Sequence, residues 1–348
     1  MSDLLMMSLH RTRAMAVLGA RLALVLAVDA LAAITQPPQP AKGPGGSDYA
    51  HPDRRVSSGG TGVDAGYVFE PIDPRPTSAP LAIIMHGYYE FAGYDSMYDL
   101  IRHTVRKGTI FIYPRWQTDI VTPCPGPFDI EPCMTSATNG IRDAIAYLQA
   151  SPDRVQPQLG QASHFGFSFG GILTANLTNR YESLGLPVPR AVFLEDPEDS
   201  GLAGPGEPTL DDSLAGIPRK VKLGCHSSAD GAIANDHPAI SSCNAVFPKL
   251  GHIPKKNKDL VLTHADTHGQ PPLTAPHGVC GFSFKDQADA YDWNFCWKVW
   301  DGMRDCALHK HSCAYALGNT PKHRSMGKWS DGVPITPLKI QDEAPILP

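Results

Sequence analysis

The chain predicts an α/β protein built on a mostly parallel sheet, and three observations carry that expectation. Short apolar runs of strand length, Leu81 to Met85 (LAIIM) and Thr109 to Tyr113 (TIFIY), lack the alternation of a half-exposed strand and read as strands buried on both faces. Segments with apolar residues at helical spacing lie between such runs. Gly166, Ser168 and Gly170, with Gly171 behind them, form a G-x-S-x-G that marks a sharp strand-to-helix turn. The order strand, helix, strand, helix, strand, turn, helix is that of a layered α/β domain.

The elements follow in order. Met1 to Ala33 places His10, Arg11 and Arg13 ahead of an apolar run that ends in small residues, the pattern of a secretory signal peptide. Arg21 and Asp29 interrupt that run, which disfavours a spanning helix. Residues 34–66, with QPPQPAKGPGGSD inside them, are expected to be a linker or a surface-hugging arm, because Pro, Gly and polar residues bury little apolar surface. Residues 67–348 are then expected to be the main folded domain, opening with an edge strand at Tyr67 to Pro71. Met97, Leu100, Ile101 and Val105 give a helix over Tyr94 to Lys107, with Gly108 as its cap. Ile141, Ala144, Ile145 and Leu148 give a second over Met134 to Ala150. Ala162 to Phe167 leads into Ser168, and Gly171 to Arg180 is the helix behind it. Arg190 to Leu194, Val221 to Gly224 and Asp259 to Thr263 are further strands, each followed by acids or histidines.

Charge and cysteine content narrow the function classes. A net charge of −5 without a basic block argues against a nucleic-acid surface. The eight cysteines fall into local pairs, Cys124 with Cys133, Cys225 with Cys243, Cys280 with Cys296, and Cys306 with Cys313. No C-x-x-C occurs, so disulfides in an oxidising compartment are expected, and the neighbour pairing is one of 105 arrangements. Secretion or a periplasmic location follows, with no membrane span in the mature protein.

The chemistry centres on Ser168. A serine hydroxyl is a poor nucleophile at neutral pH, so acyl transfer needs an imidazole within hydrogen-bond reach and a carboxylate to orient it. The histidine is chosen among His268, His277 and His264. His268 is preferred because it lies a few residues past the last strand and precedes Gly269. The acid is chosen among Asp230, Asp236 and Asp199, with Asp230 preferred because it follows the strand at Val221 to Gly224. Two backbone amides complete an oxyanion hole: Phe169 at the start of the helix, and Tyr88 in the His-Gly turn after Leu81 to Met85. Tyr89 and Phe167 are expected to contact substrate. His264, Asp266 and His268 alternate as a small metal site would, yet no further ligand accompanies them, so neither metal nor cofactor is expected.

With the GFSFGG elbow, the HGYY turn and the Ser, Asp, His order in place, the chain resembles the α/β-hydrolase superfamily. Within it, it resembles the secreted branch near dienelactone hydrolases, chlorophyllases, cutinase-like esterases and bacterial polyester hydrolases. The likeness runs from about Tyr67 to Leu338. DTHGQPPLTAPHG (Asp266 to Gly278) and LGNTPKHRSMGKWSDG (Leu317 to Gly332) are similar to stretches of exported α/β-hydrolases. The resemblance implies an α/β-hydrolase fold with an eight-stranded sheet. It also implies Ser168 as nucleophile, Asp230 as orienter, His268 as base, and no cofactor. The aromatic, cysteine-bearing extension from about residue 280 has no counterpart in minimal cutinases and is expected to cover or border the site. The implied activity is hydrolysis of carboxylic esters, small or polymeric, with aromatic and acyl groups among the candidates. Acyl transfer or peptide cleavage at the same triad is the alternative. A binding protein on a hydrolase scaffold is the non-enzymatic one.

Overall fold

The computed structural model describes residues 33–346 apart from 125–129, 198–209, 231–241 and 281–286. Among the described residues, nine strands form one sheet: β1 (Asp53–Gly59), β2 (Gly66–Ile72), β3 (Ser78–Met85), β4 (Ile110–Pro114), β5 (Gln156–Phe167), β6 (Pro189–Glu195), β7 (Lys222–Ser228), β8 (Lys258–Thr263) and β9 (Lys339–Gln341). Their order across the sheet is β1-β2-β4-β3-β5-β6-β7-β8-β9. The pairs from β4 through β8 are parallel, and the antiparallel pairs lie at the two margins.

Strand alternation sorts the apolar residues onto two faces. Leu81, Ile83 and Met85 of β3 join Ile110 and Ile112 of β4 on one face, under α2 (Glu131–Gln149) and α3 (Phe169–Asn179). Ala82 and Ile84 join Phe165 and Phe193 on the other, under α1 (Tyr98–Arg106) and a later helix, α5 (Trp297–His309). Side chains at successive strand positions point to opposite faces, so an unbroken apolar run supplies both cores at once. A short helix, α4 (Ser242–Val246), lies between β7 and β8.

Two expectations change. The sheet has nine strands rather than eight, and β2 is not its edge: β1 pairs with it from Asp53↔Ile72 to Gly59↔Gly66. The sequence of β1, DRRVSSG, is polar and half exposed, so no apolar pattern announces it. The Pro/Gly-rich stretch before it is anchored by polar contacts, with Ile34 also packed against the core. Gln270 N donates to Ile34 O at 2.8 Å, Gly45 N donates to Asp301 at 3.0 Å, and the Tyr49 hydroxyl meets His103 Nδ1 at 3.0 Å.

The C-terminal extension belongs to a core. Trp300 and Trp329 are buried, and Trp300 Nε1 donates to Thr104 on α1 at 3.0 Å. All four cysteine pairs form disulfides, 124–133, 225–243, 280–296 and 306–313. Among the described residues, no helix is long and apolar enough to cross a membrane.

Candidate active site

Ser168 stands between the end of β5 and the start of α3, with φ 53° and ψ −128°. A non-glycine residue rarely takes a positive φ, at a cost of order 1–3 kcal/mol that the surrounding packing must offset. The glycines explain how the turn closes. A Cβ on Gly166 would lie 2.2 Å from Thr174 Oγ1, and one on Gly170 would lie 2.2 Å from the carbonyl oxygen of His86. Hydrogen bonds tie the turn at both ends, Ser168 N to Glu195 O at 3.0 Å and Gly171 N to Ser168 O at 2.7 Å.

His277 Nε2 lies 2.9 Å from Ser168 Oγ. Behind the ring, Asp196 Oδ2 is 3.9 Å from His277 Nδ1, and the carboxylate is fully buried. Asp196 follows β6 directly and has φ 38°. Its carboxylate is held by three donors: Ser228 N at 2.7 Å, Ser228 Oγ at 2.8 Å and Gly278 N at 2.9 Å. The last of these belongs to the residue after His277, so the acid grips the histidine's own loop. Beside it, the Glu195 carboxylate accepts from Cys280 N at 2.7 Å on the same loop. The Cys280–Cys296 disulfide ties that loop onward to the turn before α5.

The expected partners of Ser168 lie elsewhere. His268 is on the surface with Nε2 2.7 Å from Asp331 Oδ2, and the histidine brought within hydrogen-bond distance of Ser168 is His277. Asp230 is exposed. Its amide donates to Ala275 O at 3.1 Å, and its carboxylate accepts from Ala275 N at 3.3 Å, so it braces the segment two residues before His277. Asp236 and Asp199 fall outside the described residues. Asp196 is not among the acids expected from the sequence: it abuts the strand end in an acidic run (Glu195, Asp196, Glu198, Asp199) whose candidate member is Asp199, three residues further on.

Tyr88 and Phe169 stand where the oxyanion donors are expected, one in the turn after β3 and the other at the first position of α3. Neither amide meets a protein acceptor among the described residues. Beneath them His86 is stacked between Tyr113 and Trp116, at ring-centroid distances of 5.3 and 4.5 Å, and Trp116 stacks on Phe169 at 5.4 Å. Burial pushes the His86 imidazole down to about 4, so it is neutral and donates to one of the two carbonyls it faces, Gly87 O at 2.7 Å or Arg115 O at 3.1 Å. Phe167 is buried with its ring 4.9 Å from that of His277, whereas Tyr89 is 68% exposed at the rim beside Tyr88. The Glu90 carboxyl is raised by burial, an effect opposed by the Gly87 amide and by nearby His277.

A metal would find one cluster of suitable atoms among the described residues, Glu195, Asp196 and His226, with ligand-type atoms within 4.8 Å of one another. The two carboxylates already accept from Cys280 N, Ser228 and Gly278 N, and His226 Nε2 meets Thr263 Oγ1 at 2.9 Å. That donor set suits a buried hydrogen-bonded scaffold. His264, Asp266 and His268 do not converge. Asp266 accepts from His268 N at 3.0 Å and from Thr336 N at 2.8 Å, while the His264 carbonyl accepts from the Tyr291 hydroxyl. Comparison with models of known protein families finds no match, and comparison with curated proteins finds none either.

Proposed function

We propose that the chain is a secreted serine hydrolase of carboxylic esters on an α/β-hydrolase fold, working through an acyl-enzyme. The observation that carries this reading is the 2.9 Å contact between His277 Nε2 and a Ser168 hydroxyl held on a positive-φ strand-to-helix turn. The β1-β2-β4-β3-β5-β6-β7-β8 order, with the serine after β5 and the acid after β6, supports the fold assignment. The four disulfides support export, since such bonds persist in oxidising compartments.

In this mechanism His277 Nε2 takes the proton of Ser168 as Oγ attacks the ester carbonyl. Asp196 opposes the imidazolium charge; its 3.9 Å separation tightens when substrate binds, as catalytic hydrogen bonds in unliganded enzymes often do. The amides of Tyr88 and Phe169 stabilise the tetrahedral oxyanion. His277 then returns the proton to the leaving alkoxide, and water repeats the sequence to release the acid. Exposed Tyr89 and the wall formed by Tyr88 and Phe169 border the route to Ser168, which favours an aromatic or long acyl group over a small polar one.

A fluorophosphonate probe should label Ser168, and p-nitrophenyl esters of graded chain length should turn over. Both should be lost in Ser168→Ala. Labelling that survives this substitution would remove the proposal. Product analysis with competing alcohol and amine acceptors separates hydrolysis from acyl transfer.

A further inference from the structure

We propose that Glu90 is a positioning residue for the oxyanion hole, its side chain latching the His86 to Glu90 turn so that the Tyr88 amide is presented to the reacting carbonyl. The inference rests on the esterase reading above and goes beyond it in giving a task to a residue outside the triad and its two amide donors.

The turn is closed twice between the same two residues. Glu90 N donates to Gly87 O at 3.1 Å, and Gly87 N donates to Glu90 Oε2 at 2.8 Å. Tyr88 and Tyr89 lie between those two bonds, so the Tyr88 peptide has little freedom to rotate while both persist. The backbone bond alone would close a turn. The second, from amide to carboxylate, consumes the N–H immediately before Tyr88, which would otherwise compete for the same negative charge from a slightly different place.

The surroundings hold the latch itself. Tyr113 donates its hydroxyl to Glu90 O at 3.3 Å and to Gly93 O at 2.7 Å, and Arg115 Nε donates to Phe91 O at 2.8 Å. On the other side, a Cβ at Gly87 would lie 2.9 Å from the Phe167 ring and 3.3 Å from Glu90 Oε2. Only a glycine lets the carboxylate, the turn and the Phe167 ring that packs on His277 come this close. The arrangement therefore ties the placement of the donor to the placement of the base.

The test compares Glu90→Ala with Glu90→Gln in the full chain. A displacement near 1 Å at a catalytic group costs on the order of 100-fold. Glu90→Ala should lower kcat on a p-nitrophenyl ester by about that factor while KM moves by less than about threefold, because the donor acts on the oxyanion and not on bound ester. A trifluoromethyl ketone, which forms the tetrahedral adduct, should lose affinity in parallel. Glu90→Gln keeps an acceptor for Gly87 N and should restore kcat to within about threefold of wild type, a rescue that a purely structural loss would not show. Unchanged kcat in Glu90→Ala, an effect on KM alone, or a Glu90→Gln as impaired as the alanine variant would each overturn the proposal. A labelled, active wild type with an unaffected Glu90→Ala sinks the latch alone. A wild type that neither labels nor turns over ester sinks the esterase reading and the latch with it.

Discussion

His277 Nε2 and Ser168 Oγ lie 2.9 Å apart although 109 residues separate them along the chain. Contacts that span such a separation are set by how loops are anchored. Here the anchors are Asp196 to Gly278 N, Glu195 to Cys280 N and Asp230 to Ala275, one after another along the loop that carries His277.

The first prediction sets the two histidines against each other. His277→Ala should lower kcat on a p-nitrophenyl ester by about 10⁴-fold or more, the scale of losing a triad base. His268→Ala removes a surface contact to Asp331 and should leave kcat within about threefold of wild type. The reverse ranking would assign the base to His268. Steady-state kinetics on both variants, with thermal midpoints to confirm folding, decides between them.

A second comparison concerns the acids. Asp196→Asn keeps the volume but presents an amide where Ser228 N, Ser228 Oγ and Gly278 N now find a carboxylate. The imidazole then loses the charge that favours its productive tautomer, and kcat should fall by about 10³ to 10⁴-fold. Asp230→Asn can still accept from Ala275 N and should cost less than tenfold. If Asp230→Asn proves the more damaging, the orienting carboxylate is not Asp196.

The third prediction follows from buried imidazoles. Burial pushes His86, His164 and His226 down to about 4 and His323 to about 3. An ordinary histidine titrates near 6.5. Above that pH neither folded nor unfolded chain holds these protons. Between about 6.5 and 4 the unfolded chain binds them while the folded chain does not, so stability falls as pH falls, by about 1.4 kcal/mol per pH unit for each histidine. Asp259, raised by burial to about 7, works the other way: folded, it holds a proton in the same window that the unfolded chain releases. The histidines outnumber it, so the thermal midpoint should drop by about 10 °C between pH 7 and pH 5. His164→Gln should flatten that slope by about one proton. Scanning calorimetry gives both quantities, and an unchanged midpoint from pH 7 to 5 would contradict the prediction.

Much of the fold was legible because its signals are local. LAIIM, TIFIY, RAVFL and DLVLT coincide with β3, β4, β6 and β8, and each is apolar enough to be buried on both faces. The neighbour pairing of the cysteines matches the four disulfides, which close loops of 7 to 18 residues in sequence separation. The glycines around Ser168 announced a turn in which no Cβ fits. Polar β1 and three-residue β9 went unread, since strands that pair only at a margin need no apolar pattern.

Local sequence therefore encodes the layered α/β character, the turn at Ser168 and the segments that carry carboxylates and histidines toward the sheet's rim. Tertiary contacts alone set which carboxylate and which imidazole come close to Ser168: Asp196 and His277. His268 and His277 sit in one loop with similar neighbours, and nothing within a few residues distinguishes them. The distinction is made by Asp266, which folds His268 back toward Thr336 and Asp331, and by Asp196 and Glu195, which pull Gly278 and Cys280 inward. Local periodicity encodes which face a residue occupies. The convergence of two distant loops depends on hydrogen bonds that form only once the strands between them are in register.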